Sequence, residues 1–176
     1  MTIQERLAKR IHAQDIRDLA TVLAHEQGHT LLEETCSLLT DADKRTADNA
    51  AWLLTHLDKE SRQWLYGKQA ELIRKAMHTG SITQRRLTLT ILERQPFTAD
   101  NINTDFLDFC LEQLQRPDLP PGLRSVCAKL AWKQCRHYPE LTQELQAVLS
   151  HLDREELTPA MLCVRRNIIR QLHPAR

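Results

Sequence analysis

The chain has 176 residues, which is enough for one domain with a continuous hydrophobic core. Its 24 Lys and Arg nearly balance its 23 Asp and Glu, so the net charge of +1 argues against strong bulk attraction to nucleic acid or to an anionic membrane. Only 4 Gly, 3 Phe and 2 Tyr occur, and this composition favours helix over strand.

Apolar residues at helical spacing predict the first elements of the chain. They indicate a short helix near residues 3–11, a second helix over about 16–23 and an outer helix over about 31–39. The first clear inner helix is predicted over 43–57, where small apolar residues form one stripe. The chain therefore begins with a small pair of helices and continues with an outer and an inner helix.

The middle of the chain is predicted to repeat that order. Ser61 is a candidate N-cap for an outer helix that ends near Gly80. Residues 82–94 contain the run Leu-Thr-Leu-Thr-Ile, which by itself is typical of a strand. We predict an inner helix there, because the repeat described below places it in register with the other inner helices. Pro96 and the polar residues after it predict a joint within one fold.

The second half is also predicted to alternate between outer and inner helices. Outer helices are expected over about 106–114 and from Pro139 onward. Inner helices are expected over 121–136 and 158–172, the last one with Thr158 as its N-cap. No stretch of the second half therefore requires a strand.

A basic residue returns at nearly constant spacing through the chain. Steps of 41, 39 and 41 residues separate Lys44, Arg85, Arg124 and Arg165, and small or apolar residues follow each of them at helical spacing. A period near 40 with two helices per repeat is the signature of an α-solenoid of the HEAT or armadillo kind. We therefore predict an all-α fold, a right-handed α-α superhelix of about four hairpins plus the short N-terminal pair, forming one domain over 1–176.

Three segments resemble a family of short bacterial HEAT-like repeat proteins of uncharacterised function. They are Ala50–Leu54 with His56, the stretch from Arg85 to Glu93, and Tyr138–Leu141, and the resemblance covers about residues 15–172. It implies a non-catalytic scaffold or adaptor that binds protein, with no catalytic residue and no cofactor to carry across. Such families sometimes bear an adenylosuccinate lyase label, which no motif of this sequence supports.

Charge is distributed unevenly between the two kinds of helix. The four predicted inner helices carry a net charge of +9, whereas the remainder carries −8. In HEAT-like solenoids the second helix of each pair lines the concave surface, so we predict a basic groove that holds an acidic protein or peptide. The candidate groove residues are Lys44, Arg45, Trp52, Arg85, Arg86, Arg124, Lys129, Trp132, Arg165 and Arg166.

Two alternatives to this groove remain open at the level of sequence. The cations could instead pair with acidic residues of neighbouring helices, as exposed ion pairs commonly do, and Trp52 and Trp132 could pack between repeats. If the groove is exposed, a phosphate backbone is an alternative partner, and the protein would then be a HEAT-like DNA-binding protein whose affinity falls steeply with salt.

The segment His25-Glu26-Gln27-Gly28-His29 matches the HExxH zinc motif. On one continuous helix, His25 and His29 would ligate zinc while Glu26 acts as general base, which would make the protein a zinc-dependent hydrolase. Gly28 instead favours the end of a helix, which would place the two histidines in different elements. We therefore predict no catalytic residue, metal or cofactor, and keep the hydrolase as an alternative.

The remaining sequence features concern location and redox state. No apolar run approaches the roughly 18 to 20 residues that cross a bilayer, and the first residues lack the apolar core of a signal peptide, so a cytoplasmic protein without a membrane partner is expected. The five cysteines show no CxxC spacing and are predicted to be small buried hydrophobes. They are Cys36, Cys110, Cys127, Cys135 and Cys163.

Overall fold

The protein was analysed as a computed structural model that describes residues 1–25 and 29–174. Within these ranges the regular structure consists of α-helices and short 3-10 helices, and no strand is present. The predicted all-α fold is confirmed. Contacts along the chain divide it into two compact units, an N-terminal unit Met1–Gln95 and a C-terminal unit Pro96–Arg176.

The N-terminal unit is built from short helices and ends with an inner helix. Its α-helices are α1 (Ile3–Leu7), α2 (Ala13–His25), α3 (Thr30–Ser37), α4 (Lys44–Leu54), α5 (Lys59–Trp64), α6 (Gln69–His78) and α7 (Ile82–Glu93). The predicted inner helices over 43–57 and 82–94 correspond to α4 and α7. The alternating stretch that resembles a strand is therefore helical, as the repeat register predicts.

The C-terminal unit contains two outer and two inner helices. They are α8 (Thr104–Gln115), α9 (Pro121–Cys135), α10 (Pro139–His151) and α11 (Pro159–Leu172). Each of the last three begins with a proline in its first turn, a position where the missing N–H removes no intrahelical hydrogen bond. The predicted inner helices over 121–136 and 158–172 correspond to α9 and α11.

Side-chain caps set the starts of several helices. Asp43, Ser81 and Thr158 accept backbone N–H groups at the starts of α4, α7 and α11. The prediction that Ser61 caps the following outer helix is wrong. Asp58 is the cap there, and its carboxylate accepts the backbone N–H of Ser61 at 3.0 Å.

The predicted outer helix between Ser61 and Gly80 is two helices rather than one. The chain forms α5, then a 3-10 turn over Leu65–Lys68, and only then α6. Gly67 lies in this turn and is exposed. The hydrogen bonds of a 3-10 turn span three residues instead of four, so this turn interrupts the predicted helix.

The core of the N-terminal unit depends on small side chains in α4. Ala47, Ala50 and Ala51 are buried along one stripe of this helix. Their short side chains let neighbouring helices approach closely. The inner helix α7 packs against α4 on one side and against α6, the outer helix of its own hairpin, on another. The two inner helices of this unit are therefore direct neighbours.

The core of the C-terminal unit is centred on α8 and α9. Phe106 is fully buried and its ring stacks on those of Phe97 and Phe109, with centroids 6.3 Å apart in each case. Cys110 and Cys127 are buried in the same core. Burial raises the pKa of the Cys110 thiol well above its usual range, so the group stays protonated and behaves as a small hydrophobe.

The cysteine prediction holds for four of the five thiols. Cys36 and Cys135 are buried as well, and burial raises the pKa of each to about 12. Cys163 is exposed on α11, so the prediction is wrong for this residue. Its position faces away from the stripe that contains Met161 and Ile168, which is the buried side of α11.

Candidate functional site

Three of the four basic residues that recur about every 40 residues bind the end of a neighbouring helix. In α7, Arg85 donates from Nε to the carbonyl of Ala76 at 3.0 Å and from Nη2 to the carbonyl of Thr79 at 2.7 Å. Both acceptors lie at the C-terminal end of α6, where carbonyl groups lack intrahelical partners and the helix dipole is negative. The arginine of the inner helix therefore caps the outer helix that precedes it.

The same bond recurs twice in the C-terminal unit. Arg124 of α9 donates from Nε to the carbonyl of Leu114, at the end of α8, over 2.9 Å. Arg165 of α11 donates from Nε to the carbonyl of Leu149, in the last turn of α10, over 2.7 Å. Arg124 is only 5% exposed, so the prediction that it lines an open groove is wrong.

Two of the three capping arginines are followed directly by a second arginine in a different environment. Arg86 and Arg166 are exposed, whereas Arg85 and Arg165 are half-buried. Successive residues on a helix point about 100° apart, so one of each pair reaches the hairpin partner and the other faces outward. Because Arg85 and Arg165 donate to backbone carbonyls within their own units, we exclude them from the candidate surface.

An open cleft of about 590 Å³ lies between the inner helices α4 and α7 of the N-terminal unit. Both helices contribute polar and charged side chains at helical spacing, and Trp52 and Arg86, two of the predicted groove residues, are among them. The lining residues are Asp48, Asn49, Trp52, Thr55, His56, Leu57, Thr83, Arg86, Leu87, Thr90 and Arg94. The predicted residues Lys44 and Arg45 lie at the start of α4, where they are exposed beside a second open depression.

The aromatic wall of the cleft is formed by Trp52 and His56, one turn apart on α4. Their ring centroids are 6.2 Å apart and their planes meet at 76°, an edge-to-face arrangement. His56 Nδ1 lies 3.1 Å from the carbonyl of Trp52 and 3.0 Å from the hydroxyl of Thr55. The indole is half-buried, so one part of it is fixed by packing and another part is accessible from the cleft.

Arg94 lies at the far end of the cleft. It is the C-cap residue of α7 and donates from Nη1 to the carbonyl of Thr55, the C-cap residue of α4. This bond connects the C-terminal ends of the two inner helices. It also fixes a guanidinium group at one edge of the cleft, where its other N–H groups have room for a ligand.

The charge of the cleft is positive on balance. Arg86 and Arg94 oppose a single carboxylate, that of Asp48. Burial lowers the pKa of Lys75, and the negative charge of Asp48 acts against this shift, which shows that the two groups interact. Part of the Asp48 charge is therefore balanced from α6, outside the cleft.

Sequence reasoning did not identify several lining residues, although a signal for them existed. Thr83, Thr90 and Arg94 follow the spacing of Arg86 along one face of α7, and His56 follows Trp52 by four residues on α4. Starting from Trp52 and Arg86 and stepping by three or four residues would have found them.

The other predicted groove residues lie in the C-terminal unit. Lys129 is exposed and Trp132 is half-buried, both on α9. Arg166 is exposed on α11, where its Nη2 lies 3.8 Å from the thiol sulfur of Cys163. These three residues therefore remain candidates for a surface.

The two histidines of the HExxH segment belong to different elements. His25 is the last residue of α2, and His29 precedes α3 with a backbone φ of 59°. A residue in the left-handed region does not continue an α-helix, so no single helix presents both imidazoles in the way that this zinc motif requires. Glu26 lies outside the described residues. Among the described residues, no group of three or more His, Cys, Asp or Glu side chains is placed to hold a metal ion.

The chain is thus an all-α protein of repeated helical hairpins, in which the inner helices α7, α9 and α11 each cap the preceding outer helix by an arginine. A family model described as a HEAT repeat domain matches residues 3–172, and the chain belongs to this family. HEAT repeat proteins are helical scaffolds that commonly bind other proteins. Searches among curated proteins and among solved structures found no match to the chain. None of the described helices is long and apolar enough to cross a membrane.

Proposed function

We propose that the protein is a non-catalytic binding scaffold that holds an acidic peptide segment of another protein in the cleft between α4 and α7. The observation that carries this proposal is the combination, in one cleft of about 590 Å³, of an accessible indole with two guanidinium groups. Trp and Arg are the residue types most enriched among those that dominate protein interfaces.

The electrostatics of the cleft support a partner with carboxylates. Arg86 is exposed and has no carboxylate within 4 Å among the described residues, and Arg94 uses only a backbone carbonyl. A guanidinium group beside an accessible aromatic surface binds a carboxylate more strongly than one in open water, because part of its solvation is already removed.

The polar lining supports a polypeptide in particular. Thr83 presents a hydroxyl that both donates and accepts hydrogen bonds. The Asn49 amide donates to the carbonyls of Leu7 and Lys9, and the Thr90 hydroxyl donates to that of Arg86, so these two side chains present oxygen acceptors. A peptide backbone carries N–H and C=O groups that need such partners. Trp52 would then accept an apolar side chain of the segment, while Arg86 and Arg94 bind its carboxylates.

A selection from a library of random peptides tests this proposal. We expect the wild-type protein to enrich peptides that combine Asp or Glu with an apolar residue. The enriched peptide is then labelled, and its dissociation constant is measured by fluorescence anisotropy against Arg86→Glu. Reversing the charge of Arg86 is expected to weaken binding at least about tenfold, which corresponds to about 1.4 kcal/mol.

The matched control is Arg74→Glu, which makes the same charge change at an exposed position of α6 in the same unit. It should leave the affinity within about twofold, since surface charges outside an interface act only through screened long-range fields. The proposal is wrong if the enriched peptides are neutral or basic, or if both variants weaken binding equally.

A further inference from the structure

The inner helices of the C-terminal unit repeat features of those in the N-terminal unit 80 positions later in the sequence. Trp52 and Trp132 are 80 residues apart, and both are half-buried on an inner helix. Arg85 and Arg165 are also 80 residues apart, and each donates from Nε to a carbonyl near the end of the preceding outer helix. The pair α9 and α11 therefore aligns with the pair α4 and α7 at an offset of 80 residues.

This register shows what the C-terminal unit has at the positions that line the N-terminal cleft. Three neutral or weakly basic positions become cationic, the single acidic position becomes neutral, and Arg94 corresponds to Pro174. Asn49 corresponds to Lys129, His56 to Arg136, Arg86 to Arg166, Thr90 to Arg170, and Asp48 to Ala128.

The cations of the C-terminal unit share one face of each inner helix. Lys129, Trp132 and Arg136 follow one another at intervals of three and four residues on α9, and Arg166 and Arg170 are four apart on α11. All four cations are exposed, and α9 packs directly against α11. Since the equivalent residues of α4 and α7 line one cleft, we infer that these five side chains form one surface, which we call the C-terminal basic face.

The two inner helices that carry this face supply no counter-charge of their own. Neither α9 nor α11 contains an Asp or a Glu. Within the part of the chain that the structure describes, Lys129, Arg166 and Arg170 form no ion pair within 4 Å. Like charges four residues apart on a helix, such as Arg166 and Arg170, repel each other. A partner that supplies negative charge would relieve this repulsion.

We propose that the C-terminal basic face binds single-stranded nucleic acid, with its cations on the phosphate backbone and the Trp132 indole stacked on a base. Three of the four cations are arginines, whose planar guanidinium groups match phosphate oxygens with two parallel hydrogen bonds. A row of cations beside an accessible aromatic ring is the arrangement that binds single strands without sequence preference.

The chemistry of the face favours phosphate over a peptide. At two positions where the N-terminal cleft has an amide and a hydroxyl, Asn49 and Thr90, this face has Lys129 and Arg170. Lysine and arginine donate hydrogen bonds but accept none, so they cannot satisfy the N–H groups of a peptide backbone. A phosphodiester backbone presents acceptors only, and a face made of donors suits it.

The test is the binding of a labelled oligothymidylate of about 16 nucleotides to the full chain, followed by fluorescence anisotropy. We expect a dissociation constant between about 1 and 100 µM at moderate salt, as is usual for binding without sequence preference. The logarithm of the binding constant should fall with the logarithm of the salt concentration, with a slope of about −2.8 if four phosphates are bound at about −0.7 each.

The decisive variant is Lys129→Gln with Arg166→Gln and Arg170→Gln. It should weaken binding at least tenfold and reduce the salt slope by about 2, because three phosphate contacts are removed. The matched control changes three exposed cations of the N-terminal unit in the same way, as Lys9→Gln, Lys59→Gln and Arg74→Gln. The control should retain affinity and slope, and circular dichroism checks that both variants fold.

Three results would overturn the proposal. The first is that the oligonucleotide does not bind at low salt. The second is that both triple variants lose affinity equally. The third is that the decisive variant no longer binds an acidic peptide but still binds the oligonucleotide. The last result would assign the face to a protein partner. The variant Arg86→Glu separates this proposal from the function proposed above, because it should lose the acidic peptide while its affinity for oligothymidylate stays within about threefold.

Discussion

Arginine has two different roles in this protein. In the seam, the contact between the outer and inner helix of one hairpin, it caps a helix, and on the open surface of the inner helices it is exposed to solvent. Arg85 turns into the seam and donates two hydrogen bonds to the end of α6, while Arg86, the next residue, is exposed in the cleft. The first satisfies carbonyls that would otherwise lack partners, and the second leaves its N–H groups to solvent or to a ligand. A count of charge on a helix therefore overstates the charge available for binding.

The largest effect should come from the most buried arginine of the seam. Replacing Arg124 by Ala removes a charged donor that is 5% exposed and leaves the carbonyl of Leu114 without its partner. We expect the free energy of unfolding in urea to fall by about 3 kcal/mol. The control is Arg116→Ala, which removes an exposed guanidinium paired with Asp118 at 2.6 Å. An equal loss of unfolding free energy in both variants would show that the buried arginine stabilises the fold no more than an exposed one.

A smaller effect is expected from the comparison of the two neighbours in α7. Arg85→Ala should lower the free energy of unfolding by about 2 kcal/mol, since its hydrogen bonds are charge-assisted but only half-buried. Arg86→Ala should change it by less than about 0.5 kcal/mol, as is usual for surface positions. The two variants differ by one position only, so urea titration of both is a direct comparison of seam and surface. If Arg86→Ala proved the more destabilising of the two, the assignment of roles would have to be reversed.

The reactivity of the cysteine thiols compares interior and surface in the native protein, without a measurement of unfolding. With a chromogenic disulfide reagent at mildly alkaline pH, we expect one thiol of the native protein, Cys163, to react quickly and the others slowly. The fast phase should disappear in Cys163→Ala. In denaturant all five thiols should react. Rapid reaction of more than one thiol in the native protein would contradict the buried positions of the rest.

The smallest effect at neutral pH concerns the raised pKa values of Cys36 and Cys135. In the unfolded chain each thiol loses its proton near pH 9, whereas in the folded protein it keeps the proton up to about pH 12. Between these values the folded state binds more protons, so the free energy of unfolding falls as the pH rises. Below pH 9 the stabilisation that these two thiols contribute is fully present, and the two thiols cause no pH dependence there.

This pH dependence is measured by urea unfolding at a series of pH values above 9. The variant Cys135→Ala should show a shallower decline than the wild type, because one of the titrating thiols is absent. The variant Cys163→Ala removes an exposed thiol and should follow the wild type. Identical slopes for all three proteins would mean that other groups cause the decline.

The fold could be predicted because its signal is periodic. The recurrence of Lys44, Arg85, Arg124 and Arg165 placed the inner helices, and it correctly favoured a helix over a strand for α7. Local caps were harder. Asp58 and Ser61 are both good N-cap residues three positions apart, and which of them starts the helix depends on packing that local propensity does not contain.

The direction of the arginine side chains was missed for a physical reason. The cations were predicted to line a groove because the second helix of each HEAT-like pair lines the concave surface. An arginine beside the C-terminal end of a helix, however, meets an array of carbonyls that compensates for its burial. A signal was present in the sequence. Buried residues follow Arg85 at three, four and seven positions, namely Thr88, Leu89 and Leu92, so the arginine lies on the buried stripe itself.

Arg86 and Trp52 were predicted as groove residues of the inner helices, and both line the cleft between α4 and α7. Arg94 and His56 were not predicted to line the groove, because the period of 40 residues marks equivalent positions in different repeats. Residues that line one cleft come from two adjacent inner helices, and only helical spacing around each known member identifies them. That the sequence forms one domain over 1–176 stays a prediction.

The arginine bonds of the seam also bear on the order in which the chain folds. Donor and acceptor are separated by 9 and 6 residues for Arg85, by 10 for Arg124 and by 16 for Arg165. Closing such short loops costs little conformational entropy, and chains rich in local contacts fold quickly. Each hairpin can therefore assemble from its own stretch of chain before it meets its neighbours. A newly made segment can begin to fold while the rest of the chain is still being synthesised.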